Sequence, residues 1–244
     1  MKKNYLYYPI IKCYHNLKPE KEFKNFILNS KRLLLFLLII ANTFFTQAQS
    51  VQLPAAIPID SRGVWDRGDQ FIADPNNPIY DFVKGIRAEF FWSQIEPSPG
   101  VYDWSAIDTE IQTAATHNKL VYINLLVGPD CPAWVYANGV PKVLANTTQF
   151  NGEFPYYLDP DYKFYYYRII AQFGQHIRTL PQNLREKLTF LQVMTGCTGD
   201  EVAYKGTLKS GSSSYSITDT DWLNFRIDAF KEYKKAFYDG DVST

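Results

Sequence analysis

The segment W-S-Q-I-E-P-S-P-G-V-Y-D-W, Trp92 to Trp104, decides how this chain folds, because the residue pattern changes period on either side of it. Before it, I-R-A-E-F-F-W, Ile86 to Trp92, is rich in β-branched and aromatic residues and ends at a Pro-rich turn, as a strand does. After it, Ser105 stands as a helix N-cap, and Ile107, Ile111, Ala114 and Ala115 follow at helical spacing. The alternation then repeats. Leu120 to Gly128, L-V-Y-I-N-L-L-V-G, is a nearly continuous apolar run, expected of a strand covered on both faces. Pro160 to Leu180 places Phe164, Tyr167, Ile170, Phe173 and Ile177 along one helical face, opened by Asp159-Pro160 and closed by Pro181. Leu188 to Gly196 is a further strand, and Asp221 caps a last helix carrying Trp222, Phe225, Ala229, Phe230, Tyr233 and Phe237. With Gly63 to Asp66 as a short first strand, the chain holds four strand-helix units, which implies a parallel sheet with right-handed crossovers. No G-x-G-x-x-G or G-x-x-x-x-G-K-[ST] follows any strand, so the phosphate cradles of doubly wound nucleotide binders are missing. The expected fold is α/β, a partial (β/α)8 TIM barrel of about four strand-helix units.

The 46% hydrophobic and 16% aromatic content of these 244 residues suffices for one substantial core and excludes a disordered or fibrous chain. Net charge is zero, but residues 1 to 32 hold eight Lys/Arg against two Glu, so the remainder, with 17 basic and 23 acidic residues, sits near −6. That balance excludes nucleic acid as the expected partner. Lys31 and Arg32 precede an apolar run from Leu33 to Phe45 and a small-x-small site at Thr46, Gln47 and Ala48, the pattern of a secretory signal. The run falls short of the roughly 20 residues that span a bilayer. The expected organisation is therefore an N-terminal extension and signal over residues 1–48, a Pro-rich lead over 49–61 and the half barrel over 62–244, in an exported protein with no stable membrane span. Past the signal only Cys131 and Cys197 remain, to pair or to stay buried and reduced, and no third Cys or nearby His suggests a structural zinc. Neither a metal nor a cofactor is expected.

Saccharide sites combine aromatic platforms, which meet the C–H faces of sugar rings, with carboxylates and amides for the hydroxyls. Three strand ends carry that mixture: Trp92 with Glu96; Asp130, Trp134 and Tyr136; and Asp200, Glu201 and Tyr204. In a (β/α)8 barrel these ends face the active site. Several have a structural alternative. Glu96 can accept backbone N–H bonds that fix its own turn, Trp92 and Trp104 can pack in the core, and Asp130 can cap the turn before Pro132. Arg87 can orient a carboxylate inside the barrel, pair with Glu89 or point outward, with the last two favoured; His117 and His176 lie on helices without an evident partner, and Asn146-Thr147-Thr148 is a glycosylation sequon.

Ile86 to Asp108, with W-x-x-[IL]-E-P-x-x-G-x-Y-D-[WF] at its centre, resembles the second-strand region of the retaining β-galactosidases of glycoside hydrolase family 42 and related barrel glycosidases. The resemblance covers about 25 residues and implies hydrolysis of β-linked saccharides, with a general acid/base at the end of the fourth strand. There the group commonly has Asn-Glu, whereas this chain has Gly199-Asp200-Glu201, in an arrangement that also resembles the strand-four site of β-amylase-type barrels; Asp200 and Glu201 are both candidates. Such chemistry needs a second carboxyl about 5 to 5.5 Å away in a retaining enzyme. In the family it comes from the other half of the barrel, so the expectation is a truncated product, a fragment or a chain completed by another. The alternatives are a carbohydrate-binding remnant without catalysis and a signal-anchored envelope protein. Exposed half-barrel surface implies self-association.

Overall fold

A computed structural model describes residues 63–67, 74–196 and 202–239. The chain divides into two units, Met1–Ala48 and Gln49–Thr244, and every described residue belongs to the second. The leader, the Pro-rich lead, Cys197, Asp200 and Glu201 lie outside the described residues.

Four strands, β1 (Val64–Asp66), β2 (Val83–Phe91), β3 (Leu120–Leu126) and β6 (Leu188–Gln192), form one parallel sheet in the order β1-β2-β3-β6. The spatial order follows the chain order without reversal. Right-handed crossovers then send each connecting helix to the same face, whereas a doubly wound sheet needs a reversal to cover both. That face is the core. Ile86, Ala88 and Phe90 of β2 and Val121, Ile123 and Leu125 of β3 pack there with Ile107, Ile111 and Ala114 of α2 (Ser105–Thr116) and with Tyr166, Ile169, Ile170, Phe173 and Ile177 of α4 (Pro160–Thr179). The other face is concave: Trp65 at one edge comes within 5.8 Å of Phe190 at the opposite edge, ring centre to ring centre, and within 5.5 Å of Tyr122. Gly85 makes this possible, since a Cβ there would lie 2.5 Å from the Trp65 ring. The sheet curls but does not close.

Several boundaries differ from the sequence reading for identifiable reasons. β2 starts at Val83, and Trp92 leaves the strand to open the single turn α1 (Trp92–Ile95). Trp104, not Ser105, occupies the N-cap of α2, because the Asp103 carboxylate accepts the Ser105 N–H at 3.0 Å. Asp159 caps α4 as expected, accepting from Asp161 N and Tyr162 N. The buried face of that helix runs through Tyr162 and Tyr166 rather than Phe164 and Tyr167, leaving Phe164 exposed. Thr218 rather than Asp221 caps α6 (Asp219–Lys234), accepting the Asp221 N–H at 3.1 Å, and Phe230 faces outward. Between β1 and β2 the described residues form turns, so the first unit shows no helix there.

A second sheet was not foreseen. β4 (Lys142–Asn146), β5 (Glu153–Pro155) and β7 (Thr207–Leu208) pair antiparallel in the order β5-β4-β7. The turn into β5 has positive φ at Phe150, Asn151 and Gly152; at Gly152 a Cβ would fall 2.4 Å from the Ala145 carbonyl. Val143, Ala145 and Phe154 form its small core with Tyr204, Leu208 and Tyr215. β4 and β5 belong to the loop after β3 and β7 to the loop after β6, so this sheet ties together two connections at the carboxyl ends of the parallel strands.

Candidate functional site

Side chains alternate along a strand, so β2 presents Arg87, Glu89 and Phe91 to the concave face while Ile86, Ala88 and Phe90 enter the core. The register places Glu89 beside Asn124 of β3, and Asn124 beside Gln192 of β6. One carboxylate and two amides thus form a row across three neighbouring strands near their carboxyl ends. Asn124 Nδ2 stands 3.5 Å from Glu89 Oε1, and Arg87 Nη2 donates to Glu89 Oε2 at 2.7 Å, the pairing expected from the sequence. Asn124 is 1% exposed, and its Oδ1 has no partner among the described residues. Above the row, Phe91 pairs in register with Leu126 and is 40% exposed. Below it, Tyr122 and Phe190 stack at 4.5 Å. Glu89 and Gln192 reach solvent on either side of the buried Asn124, beneath an exposed ring, and such polar groups suit a polyhydroxylated ligand.

The motif residues form a different structure. Trp92 is fully buried, edge-on to Trp134 and Tyr162, and its Nε1 donates to Glu96 Oε2 at 2.8 Å. Glu96, also fully buried, accepts the Gly100 N–H at 2.8 Å and the guanidinium of Arg168 from α4. Its main-chain carbonyl accepts Trp134 Nε1 at 2.9 Å. The Arg168 guanidinium lies over the rings of Trp134, Phe164 and Tyr165. Burial, with the Glu96 charge behind it, raises the Tyr102 hydroxyl above its usual range. Trp92, Glu96 and Trp134 are thus brought together, as a knot that joins the end of β2 to α3 (Ala133–Ala137) and α4. The Trp92 indole has no face open to a ligand, and the exposed aromatic ring at this strand end is Phe91, one residue earlier.

Asp130 and Tyr136 lie together beyond β3, on either side of Cys131. Burial pushes the half-buried Asp130 carboxyl up to about 6. It also pushes the Cys131 thiol up to about 12, and the Tyr136 hydroxyl, next to that thiol, beyond its ordinary range. Cys131 is free and 7% exposed. Tyr204 stands apart in the second sheet's core, its hydroxyl donating to the Tyr215 carbonyl at 3.0 Å. His176, which has no evident partner in sequence, stacks on Trp104 at 4.9 Å and meets Asp108 Oδ1 at 2.7 Å. Among the described residues, no group of three His, Cys, Asp or Glu could hold a metal ion, and no helix is long and apolar enough to cross a membrane.

Sequence reasoning missed Asn124, Gln192 and Arg168 and read Glu89 only as a partner for Arg87. Asn124 carried a usable signal, as the one polar residue inside L-V-Y-I-N-L-L-V-G.

No family model matches the chain, and no curated protein matches it. Among solved structures it is similar to xylanase B from Clostridium stercorarium F9, at 15% identity and a TM-score of 0.37, over 71% of this chain. The match spans 48% of that xylanase, about half its length.

Proposed function

We propose that this chain is an exported, glycoside-hydrolase-like protein of barrel type that takes a β-linked saccharide at the carboxyl ends of its parallel strands. The observation that carries this reading is the in-register row Glu89, Asn124 and Gln192 under the exposed Phe91 ring. A carboxylate and an amide that reach solvent match hydroxyls, and an aromatic face matches the C–H surface of the ring. The family 42-like segment and the monotonic parallel order support the barrel, and the leader ending at Ala48 supports export.

In the hydrolytic reading, Asp200 or Glu201, in the loop after β6, donates a proton to the glycosidic oxygen as the bond to the anomeric carbon breaks. Half-buried Asp130 contacts the sugar from the loop after β3, while the exposed Glu89 and Gln192 hold hydroxyls. A second reading, saccharide binding without cleavage, is favoured by one observation: Glu89, the carboxylate on the described concave face, is already engaged by Arg87.

Aryl β-glycosides assayed with the full chain separate the two. Turnover that falls by at least ~10²-fold in the Asp200→Asn/Glu201→Gln double variant supports hydrolysis. Saccharide binding without turnover supports the second reading. Neither binding nor turnover, or turnover unchanged in the double variant, overturns the hydrolytic proposal.

A further inference from the structure

The two edges of the parallel sheet carry complementary surfaces. At the β6 edge, α6 packs one flank against α4: Tyr167 of α4 is pushed up to about 12 by burial and then by the charges of Asp228 and Glu232. At about 100° per residue, the opposite flank of α6 holds Leu223, Arg226, Ile227 and Phe230. Leu223, Ile227 and Phe230 are exposed, an apolar stripe on the outside of a helix whose other side already fills the core. Arg226 and Phe230 line a cleft with Phe190 and Gln192 along the edge of β6, and it runs on to Trp65 and Tyr122 of the concave face. The Nε of Arg226 is buried without a partner among the described residues.

The β1 edge is its counterpart. Val64, Ile79 and Phe82 are exposed apolar residues on β1 and on the approach to β2. Asp66 lies level with the core residue Ile86, so it points to the helix-bearing face, and its Oδ2 is buried without a partner among the described residues. One edge therefore offers a guanidinium with an unsatisfied Nε beside an apolar stripe, and the other a carboxylate whose Oδ1 takes the Arg67 N–H at 2.7 Å and whose Oδ2 is unsatisfied, beside apolar residues.

We propose that the occupant of each edge is a second copy of this chain. β6 of one copy pairs in parallel with β1 of the other, and reciprocally, about a two-fold axis along the strands. A two-fold in that direction preserves strand polarity, so all eight strands run the same way. Such an interface is isologous and closed. Eight strands also make a barrel whose interior side chains can fill, and the curl that brings Trp65 to Phe190 is already in that sense. Arg226 then faces Asp66 of the second copy on the helix side, and Leu223, Ile227 and Phe230 cover its Val64, Ile79 and Phe82. Closure brings a second Glu89, Asn124 and Gln192 row into the same mouth. The pairing stands independently of the saccharide reading.

Sedimentation of the full chain tests it, with far-UV circular dichroism of each variant. The expected wild-type mass is that of a dimer. Ile227→Glu yields monomer, and Arg226→Asp or Asp66→Arg each weakens association at least tenfold. The charge-swapped double variant Arg226→Asp/Asp66→Arg restores association, which only direct pairing of these two positions explains, and this arm decides the matter if Ile227→Glu fails to fold. A wild-type monomer at every concentration, an open series of higher oligomers, a dimer indifferent to all three single variants, or a swap that restores nothing overturns the proposal.

Discussion

Two glutamates flank the end of β2, and they differ in every physical respect. Glu96 is fully buried and engaged through both carboxylate oxygens, by Trp92, Gly100 and Arg168. Glu89 sits on the concave face, a third of its side chain open to solvent, with Arg87 on one side and Asn124 on the other. A charge sealed in the core with a full set of donors holds the chain together, because any lost partner strands the rest without water. An accessible charge is available to a ligand, and the buried amide of Asn124 beside it holds that carboxylate in place. The contrast teaches that the recognisable W-x-x-I-E-P motif builds the strand-to-helix connection, while the strand it follows presents the groups that meet solvent.

The sharpest way to break this contrast is to truncate each glutamate. Glu96→Ala strands the partly buried Arg168 guanidinium and the buried Trp92 N–H without their acceptor and is expected to cost about 3–5 kcal/mol. Glu89→Ala, at a partly exposed pair, is expected to cost no more than about 1 kcal/mol. Urea denaturation of both variants checks the difference, and equal losses would erase it. Next in size, Asp159→Ala removes the oxygen that accepts two N–H groups at the start of α4, the helix that carries Arg168. It should cost about 1 kcal/mol in the same measurement.

The smallest effect concerns pH. Burial holds Asp130 at about 6 against an ordinary value of 3.8, so the folded chain binds that proton more tightly than the unfolded one. Its contribution favours the fold below about pH 4 and is lost as pH rises through about 6. Asp130→Asn should therefore stabilise the chain at pH 7, by less than about 1 kcal/mol because the group is half open to solvent, and change nothing at pH 4. Thermal melts at the two pH values check it.

Much of this was legible in sequence. The parallel strands and the long helices follow from periodicity, and the structural alternative for Glu96 follows from its place in a Pro-rich turn. Other features depend on contacts between distant residues. Phe91 and Trp92 are adjacent aromatic residues at the end of β2, and only long-range packing decides which ring is sealed: Trp92 leaves the strand to meet Trp134 and Tyr162, while Phe91 stays in register with Leu126 and exposed. Arg168 finds Glu96 across 72 positions of sequence, and Asn124 finds Glu89 across 35, separations that no local pattern reports. The β4–β5 hairpin was hidden because its turn uses Phe150 and Asn151 at positive φ ahead of Gly152, not a two-residue Asn-Gly loop. Helix faces slipped at α4 because tyrosines at 162, 165, 166 and 167 leave several apolar stripes to choose from.

The central claim is that the concave-face row, through its exposed members Glu89 and Gln192, and not the buried knot, takes the ligand. Calorimetric titration of the full chain with a β-linked oligosaccharide, in wild type and in Gln192→Ala, tests it most directly. The account predicts saturable binding to wild type and at least a tenfold loss, about 1.4 kcal/mol, in the variant, with its urea midpoint little changed. Equal affinity in the two proteins would contradict it.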